Sequence, residues 1–112
     1  MSVYRLSHQA EEDLNEIADY IANSNPHAAD DVIEALFRTL QTLAANSGIG
    51  QRRDDLRPGL HVFPARHPAH NYVVCYFLIE GGIEVATVLH GRRDWFGLNA
   101  VNDKCIEQER HA

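Results

Sequence analysis

Apolar positions mark two helices and four strands along the chain. Ser2 to Leu6 alternates and carries β-branched and aromatic residues, the pattern of a short first strand. Ala10, Leu14, Ile17, Ala18 and Ile21 then recur at helical spacing, with Glu12, Asn15, Glu16 and Asp19 turned away, which predicts an amphipathic helix over residues 8–22. Ser7 stands at the N-cap position, and Glu11, Glu12 and Asp13 crowd the first turns, where the helix dipole favours negative charge. Asn25 before Pro26 restarts a helix, whose wider stripe runs through Ala29, Val32, Ile33, Leu36, Phe37, Leu40, Leu43 and Ala44 and stops near Asn46, with Gly48 just beyond. So short a link between the two helices makes them an antiparallel hairpin.

The segment GIGQRRDDLRPG, residues 48–59, reads as the longest loop. Three strands follow: LHVFPA, NYVVCYFLIE and GIEVATVLH. The middle one is apolar on both faces, as a central strand is, and Gly81-Gly82 marks a tight hairpin between the last two. The order β-α-α-β-β-β with adjacent helices predicts an α+β fold, a helical hairpin packed on one face of a small, mostly antiparallel sheet.

A chain of 112 residues accommodates one domain. Its 45% apolar and 23% charged composition is that of an ordinary globular protein. No run approaches the ~18 apolar residues of a membrane span, and the N-terminus lacks the order of a signal peptide, so the expected location is the cytoplasm. Cys75 in a strand and Cys105 in the polar tail make neither a disulfide framework nor a metal site, and no cofactor is expected. The net charge of −6 is uneven: residues 1–45 hold two basic residues against eight acidic ones, while residues 46–112 hold eight of each. A globally basic nucleic-acid binder is not indicated, and direct DNA binding is not expected.

Three pieces in order carry a family resemblance: Ala10…Asp13-Leu14…Ile17…Tyr20-Ile21, then Gly50…Arg53…Asp55-Leu56…Gly59-Leu60, then Tyr72…Tyr76 leading to Val88-Leu89-His90-Gly91-Arg92-Arg93-Asp94. Together they resemble the ParE branch of the ParE/RelE toxins, from residue 4 to residue 95. The resemblance divides the chain into a toxin domain, residues 1–98, and a polar tail, residues 99–112. It implies the toxin of a type II toxin–antitoxin pair, held in a hetero-oligomer by a cognate ParD-like antitoxin, a ribbon-helix-helix DNA-binding dimer whose C-terminal segment wraps the toxin.

The two branches differ in mechanism. RelE-like members resemble ribosome-dependent endoribonucleases, chemistry that needs a group to activate the ribose 2′-OH, an acid for the leaving oxygen and cations for the phosphate. ParE-like members resemble inhibitors of DNA gyrase that act by binding. This chain has one lysine, Lys104, in the tail. Thr87 stands where the resemblance puts a phosphate-holding arginine, and Trp95 and Phe96 follow the last strand in place of a C-terminal tyrosine. The gyrase reading is therefore the expectation, with no catalytic residues of its own. The alternatives are a ribonuclease using His90, Arg92 and Arg93, or a remnant that only binds antitoxin.

On the gyrase reading Arg92, Arg93, Trp95 and Phe96 form the target-binding tip, an arginine–aromatic composition typical of interaction hot spots. The same residues also fit a solvated turn with a local ion pair. His90 at a strand end fits a turn-positioning histidine, unless His61, His67 or His70 lies beside it. Arg53 and Arg57 are candidates for anchoring acidic antitoxin side chains, within a loop whose charges also cancel internally. Leu36, Phe37, Leu40 and Leu43 are the candidate floor of an apolar antitoxin groove. Gly59-Leu60-His61 departs from the Gly-Leu-Arg of many ParE-like loops, exchanging a permanent cation for a titratable one. Glu12, Glu16, Asp19, Asp30, Asp31 and Glu34 read as a solubilising face, and Tyr72 and Tyr76 as core or edge residues.

Overall fold

The computed structural model describes residues 3–91. The strands are β1 (Val3–Leu6), β2 (Gln51–Arg52), β3 (His61–Pro64), β4 (Tyr72–Ile79) and β5 (Gly82–His90), and the helices are α1 (His8–Ala22) and α2 (Pro26–Ala45). They make one five-stranded sheet in the order β1-β5-β4-β3-β2. Only β1 runs parallel to its neighbour, pairing Val3 with Gly82 through Leu6 with Val85. The fold is thus α+β, with the expected element order. One addition is β2, a two-residue strand paired to β3 inside the segment read as a loop. The length of that strand explains why no periodicity announced it.

Both helix starts follow the sequence signals. Ser7 caps α1 by accepting from Ala10 N at 3.0 Å, and Asn25 caps α2 by accepting from Ala28 N at 3.1 Å with Pro26 in the first turn. The α2 helix ends at Ala45, and a short 3₁₀ turn, Ser47–Ile49, follows. Tyr76 fastens that turn to the sheet: its hydroxyl donates to Ser47 O at 2.8 Å and accepts from Gly50 N at 3.1 Å. Burial pushes the phenol up from its ordinary pKa.

The sheet is covered on both faces. On one, α1 and α2 bury Leu14, Ile17, Leu36, Leu40 and Leu43 against Tyr72, Val74, Tyr76, Ile83, Val85 and Val88. On the other, the β2–β3 loop folds back so that Leu56 and Leu60 pack on Val62, Cys75, Ala86 and Leu89. That second core explains the two-faced apolarity of β4 without a second helical layer.

The parallel β1–β5 contact depends on a glycine. Val3 N donates to Gly81 O at 3.0 Å, and a Cβ built on Gly82 would lie 1.7 Å from Val3 O. Gly82→Ala is therefore expected to push β1 off the sheet and cost about 3 kcal/mol, the upper part of the overpacking range. Urea unfolding checks this, and a loss under ~0.5 kcal/mol, the scale of a neutral surface change, would contradict it.

Candidate target- and partner-binding surfaces

The strand that leads to the expected tip is held by a carboxylate from the helix layer. Asp13 is only 4% exposed and Thr87 is fully buried. Asp13 Oδ2 accepts from the Thr87 hydroxyl and, at 3.1 Å, from Val88 N, while Gln9 Nε2 donates to Oδ1 at 2.9 Å. The register shows why those donors are available. Cys75 pairs with Thr87 but Tyr76 pairs with Val85, so Ala86 is an extra residue, a bulge in β5. The freed Ala86 carbonyl accepts from Ser7 Oγ at 2.8 Å, so the residue that caps α1 also ties it to the bulge.

Asp13 was grouped above with the first-turn acids, a purely electrostatic role; the structure instead buries it in the helix–sheet interface. The pattern held a signal for this, because Ala10, Asp13, Leu14 and Ile17 fall at i, i+3, i+4 and i+7, on the core stripe itself.

Gly91 is the last described residue, and its N–H donates to Asn71 O at 2.7 Å. Arg92, Arg93, Trp95 and Phe96 lie outside the described residues, as does the tail at 99–112. His90, at the foot of this segment, sets its ring edge-on to Tyr72, with centroids 5.3 Å apart at 87°. The three histidines named with it as possible neighbours, His61, His67 and His70, make other ring contacts. His61 stacks on Tyr76 at 5.4 Å, four residues along β4 from the partner of His90. His67 and His70 stack on each other at 5.6 Å in the β3–β4 loop.

The loop 53–60 is internally neutralised and anchored. Arg53 grips Asp55 with two bonds, Nε to Oδ1 at 3.0 Å and Nη2 to Oδ2 at 2.9 Å, and Arg52 Nε reaches Asp54 at 3.0 Å. Asp54 also accepts from Gly59 N at 2.8 Å, where Gly59 sits at φ +82°, a conformation that favours glycine. The Gly59 N–H, then Arg52, holds the Asp54 carboxyl below the usual carboxylate range; Arg53 does the same for Asp55, and Asp55 raises Arg53 in return. Next to this turn, His61 Nδ1 donates to Gly59 O at 3.0 Å, the carbonyl being an acceptor only.

The candidate antitoxin groove needs correction. Leu36, Leu40 and Leu43 are completely buried between hairpin and sheet, so no open floor is built from them. Phe37 is half-buried, with its ring 6.4 Å from that of Tyr4. The stripe was read at its true width, but α2 spends all of it on the sheet. The hairpin's depression lies on its outer side, floored by Ala18, Ala22, Ala29 and Ile33 and rimmed by Asp19, Asp30 and Glu34. Tyr72 and Tyr76 are core residues.

Among the described residues no group of three or more His, Cys, Asp or Glu could hold a metal, and no helix is long and apolar enough to cross a membrane. A family model described as the ParE toxin of type II toxin–antitoxin system parDE matches residues 4–95. The chain belongs to the ParE toxin family. It is similar to "Toxin RelE3" of Caulobacter vibrioides, 28% identical over 90 residues that span 80% of this chain and 95% of that one. Its fold matches a chain of the chromosomal ParDE TA system from P. aeruginosa, with TM-score 0.67 and 17% identity over 80% of this chain and 96% of the other.

Two measurements probe these surfaces. Asp13→Ala strips the buried Thr87 hydroxyl and Val88 N–H of their acceptor and is expected to cost about 3 kcal/mol. A loss below ~1 kcal/mol in urea, the worth of an ordinary exposed bond, would contradict the clamp. For the loop, a carboxyl held low when folded contributes stability above its unfolded pKa and loses it as pH falls through the folded value. Asp54→Ala should therefore speed amide exchange at Gly59 at neutral pH. The gap from wild type should close only below about pH 4, the ordinary range of an aspartate.

Proposed function

We propose that this toxin acts by binding DNA gyrase through Arg92, Arg93, Trp95 and Phe96 and stalling its cleavage–religation cycle, gyrase supplying all the chemistry. The observation that supports this reading most is the state of position 87. By the resemblance, RelE-like toxins and many ParE-like ones carry a phosphate-holding arginine there; Thr87 is instead fully buried and donates to Asp13, so a cation that RNA cleavage calls for is missing at that position. His90, the histidine of the ribonuclease alternative, packs edge-on to Tyr72, and His61 stacks on Tyr76.

The resting state in this reading is a cytoplasmic hetero-oligomer with a ParD-like, ribbon-helix-helix antitoxin. Arg53 and Arg57 are its anchoring cations. Arg53 is already held by Asp55, so an antitoxin carboxylate gains by exchange with an existing pair and contributes orientation more than raw affinity. The outer depression of the hairpin, with its carboxylate rim, repels an acidic antitoxin segment and is left outside the contact.

A second reading, a RelE-like ribosome-dependent endoribonuclease built on His90, Arg92 and Arg93, is favoured by the similarity to a toxin named RelE3. Replacing both tip arginines separates target contact from antitoxin contact. Arg92→Ala/Arg93→Ala is expected to weaken gyrase inhibition about tenfold or more, as loss of a hot-spot cation pair does, and to relieve growth arrest while antitoxin binding is retained. Full toxicity in the double variant would refute the tip as the active surface.

A further inference from the structure

We propose that the outer depression of the helical hairpin receives a second copy of this chain: the β3–β4 loop of one copy, led by Arg66, docks between Asp19, Asp30 and Glu34 of the next. The inference is independent of the gyrase reading.

The depression restricts what can enter it. Its volume is about 470 Å³, over a floor of Ala18, Ala22, Ala29 and Ile33. That is at the small end of the roughly 300–1,000 Å³ of binding clefts, room for a few side chains and not for a helix of several turns. Asp19, Asp30 and Glu34 rim it and are exposed. Glu34 has Arg38 at 3.9 Å, an exposed pair of little worth. Asp19 and Asp30 have no ion-pair partner among the described residues. Nucleic acid and acidic peptides are repelled by such a rim. What fits is a cation presented on a short loop with apolar surface around it.

This chain carries such a loop. From Leu56 to Ile79 it has no acidic residue, and between β3 and β4 it sets Arg66, His67 and His70 around Pro68. Arg66 has no carboxylate partner among the described residues. Its guanidinium lies over the Phe63 ring, 5.9 Å from the centroid, and a planar cation stacked in this way keeps its hydrogen-bonding edge available. The backbone beneath is fixed. Ala65 and Ala69 are buried in the main core, and Ala65 N donates to Tyr72 O, Ala69 N to Arg66 O and Tyr72 N to Ala69 O, each at 2.9 Å. Arg66, His67 and His70 are nonetheless exposed, so a preformed loop docks with little loss of conformational entropy.

Within one copy the two surfaces leave each other's charges unpaired. Arg66 N donates to Thr39 Oγ1 at 3.3 Å, which ties the loop to the second half of α2, whereas the depression draws on the first half, Pro26 to Glu34. Between copies the match is complete, because each copy offers one loop and one depression. The contact repeats head to tail or closes by mutual exchange. Confined to one loop and one depression, it is smaller than the ~1,200 Å² that stable interfaces bury, so the association is weak, concentration-dependent and screened by salt.

Sedimentation velocity of the full chain, free of antitoxin, over about 1 μM to 1 mM reads this association directly. Wild type is expected to rise above monomer mass with concentration and to fall back toward it when salt is added. Arg66→Glu alone, and Asp30→Lys/Glu34→Lys alone, should each weaken the association about tenfold or more, with thermal midpoints unchanged. Mixing the two variants should restore it, since the reversed loop of one then meets the reversed rim of the other and the two native halves also match. Where a reversed variant fails to fold, Arg66→Gln and Asp30→Asn/Glu34→Gln replace it and should weaken association in the same direction. Wild type that stays monomeric throughout overturns the inference, as does association that either variant leaves unchanged. Loss in both reversed variants without recovery on mixing also overturns it, because the rim and the loop would then be meeting other surfaces.

Discussion

A buried carboxylate joins the helix layer to β5, the strand that leads to the proposed target-binding tip. Asp13 reaches from the second turn of α1 into the sheet and accepts from the Thr87 hydroxyl and the Val88 N–H. Those groups are exposed to it because β5 bulges at Ala86, and the bulge in turn is tied to the α1 cap through Ser7. Remove the bulge and the Val88 N–H returns to the ladder; remove the carboxylate and two polar groups are buried without an acceptor. The twist that a bulge adds, and therefore the direction in which β5 leaves the sheet, is fixed by this arrangement.

The same constraint explains what position 87 does here. A buried threonine bound to an aspartate is unavailable as a phosphate cradle, and its hydroxyl serves the architecture. In the proposed reading, target engagement is left to Arg92, Arg93, Trp95 and Phe96. The loop at 53–60 meanwhile closes the far face of the sheet with Leu56 and Leu60 and keeps its own charges in neighbouring pairs.

Much of this was legible in the chain. Helical spacing and caps at Ser7 and Asn25 placed both helices, and Gly81-Gly82 placed the β4–β5 hairpin. The continuous apolarity of Tyr72–Ile79 showed a strand buried on both faces, though what covered the second face was a loop carrying only Leu56 and Leu60. Local patterning could not show how much of the α2 stripe the sheet would consume, which is why Leu36, Leu40 and Leu43 looked like a groove floor and are core. Asp13 was hidden by its company: three acids in a helix's first turns read as a dipole effect, and only the i, i+3, i+4 geometry singles out the one that faces inward. The stacked histidines and the Arg66–Phe63 contact depend on how a turn folds back, which spacing does not reveal.

The central claim is that the toxin stops a larger machine by occupying it and breaks no bond. The most direct measurement places purified wild-type protein in two parallel reactions: supercoiling by gyrase, and translation of a defined message with its 5′ ends mapped. The account predicts accumulated gyrase–DNA breaks and an intact message. Discrete new ends within codons, with supercoiling unaffected, would contradict it.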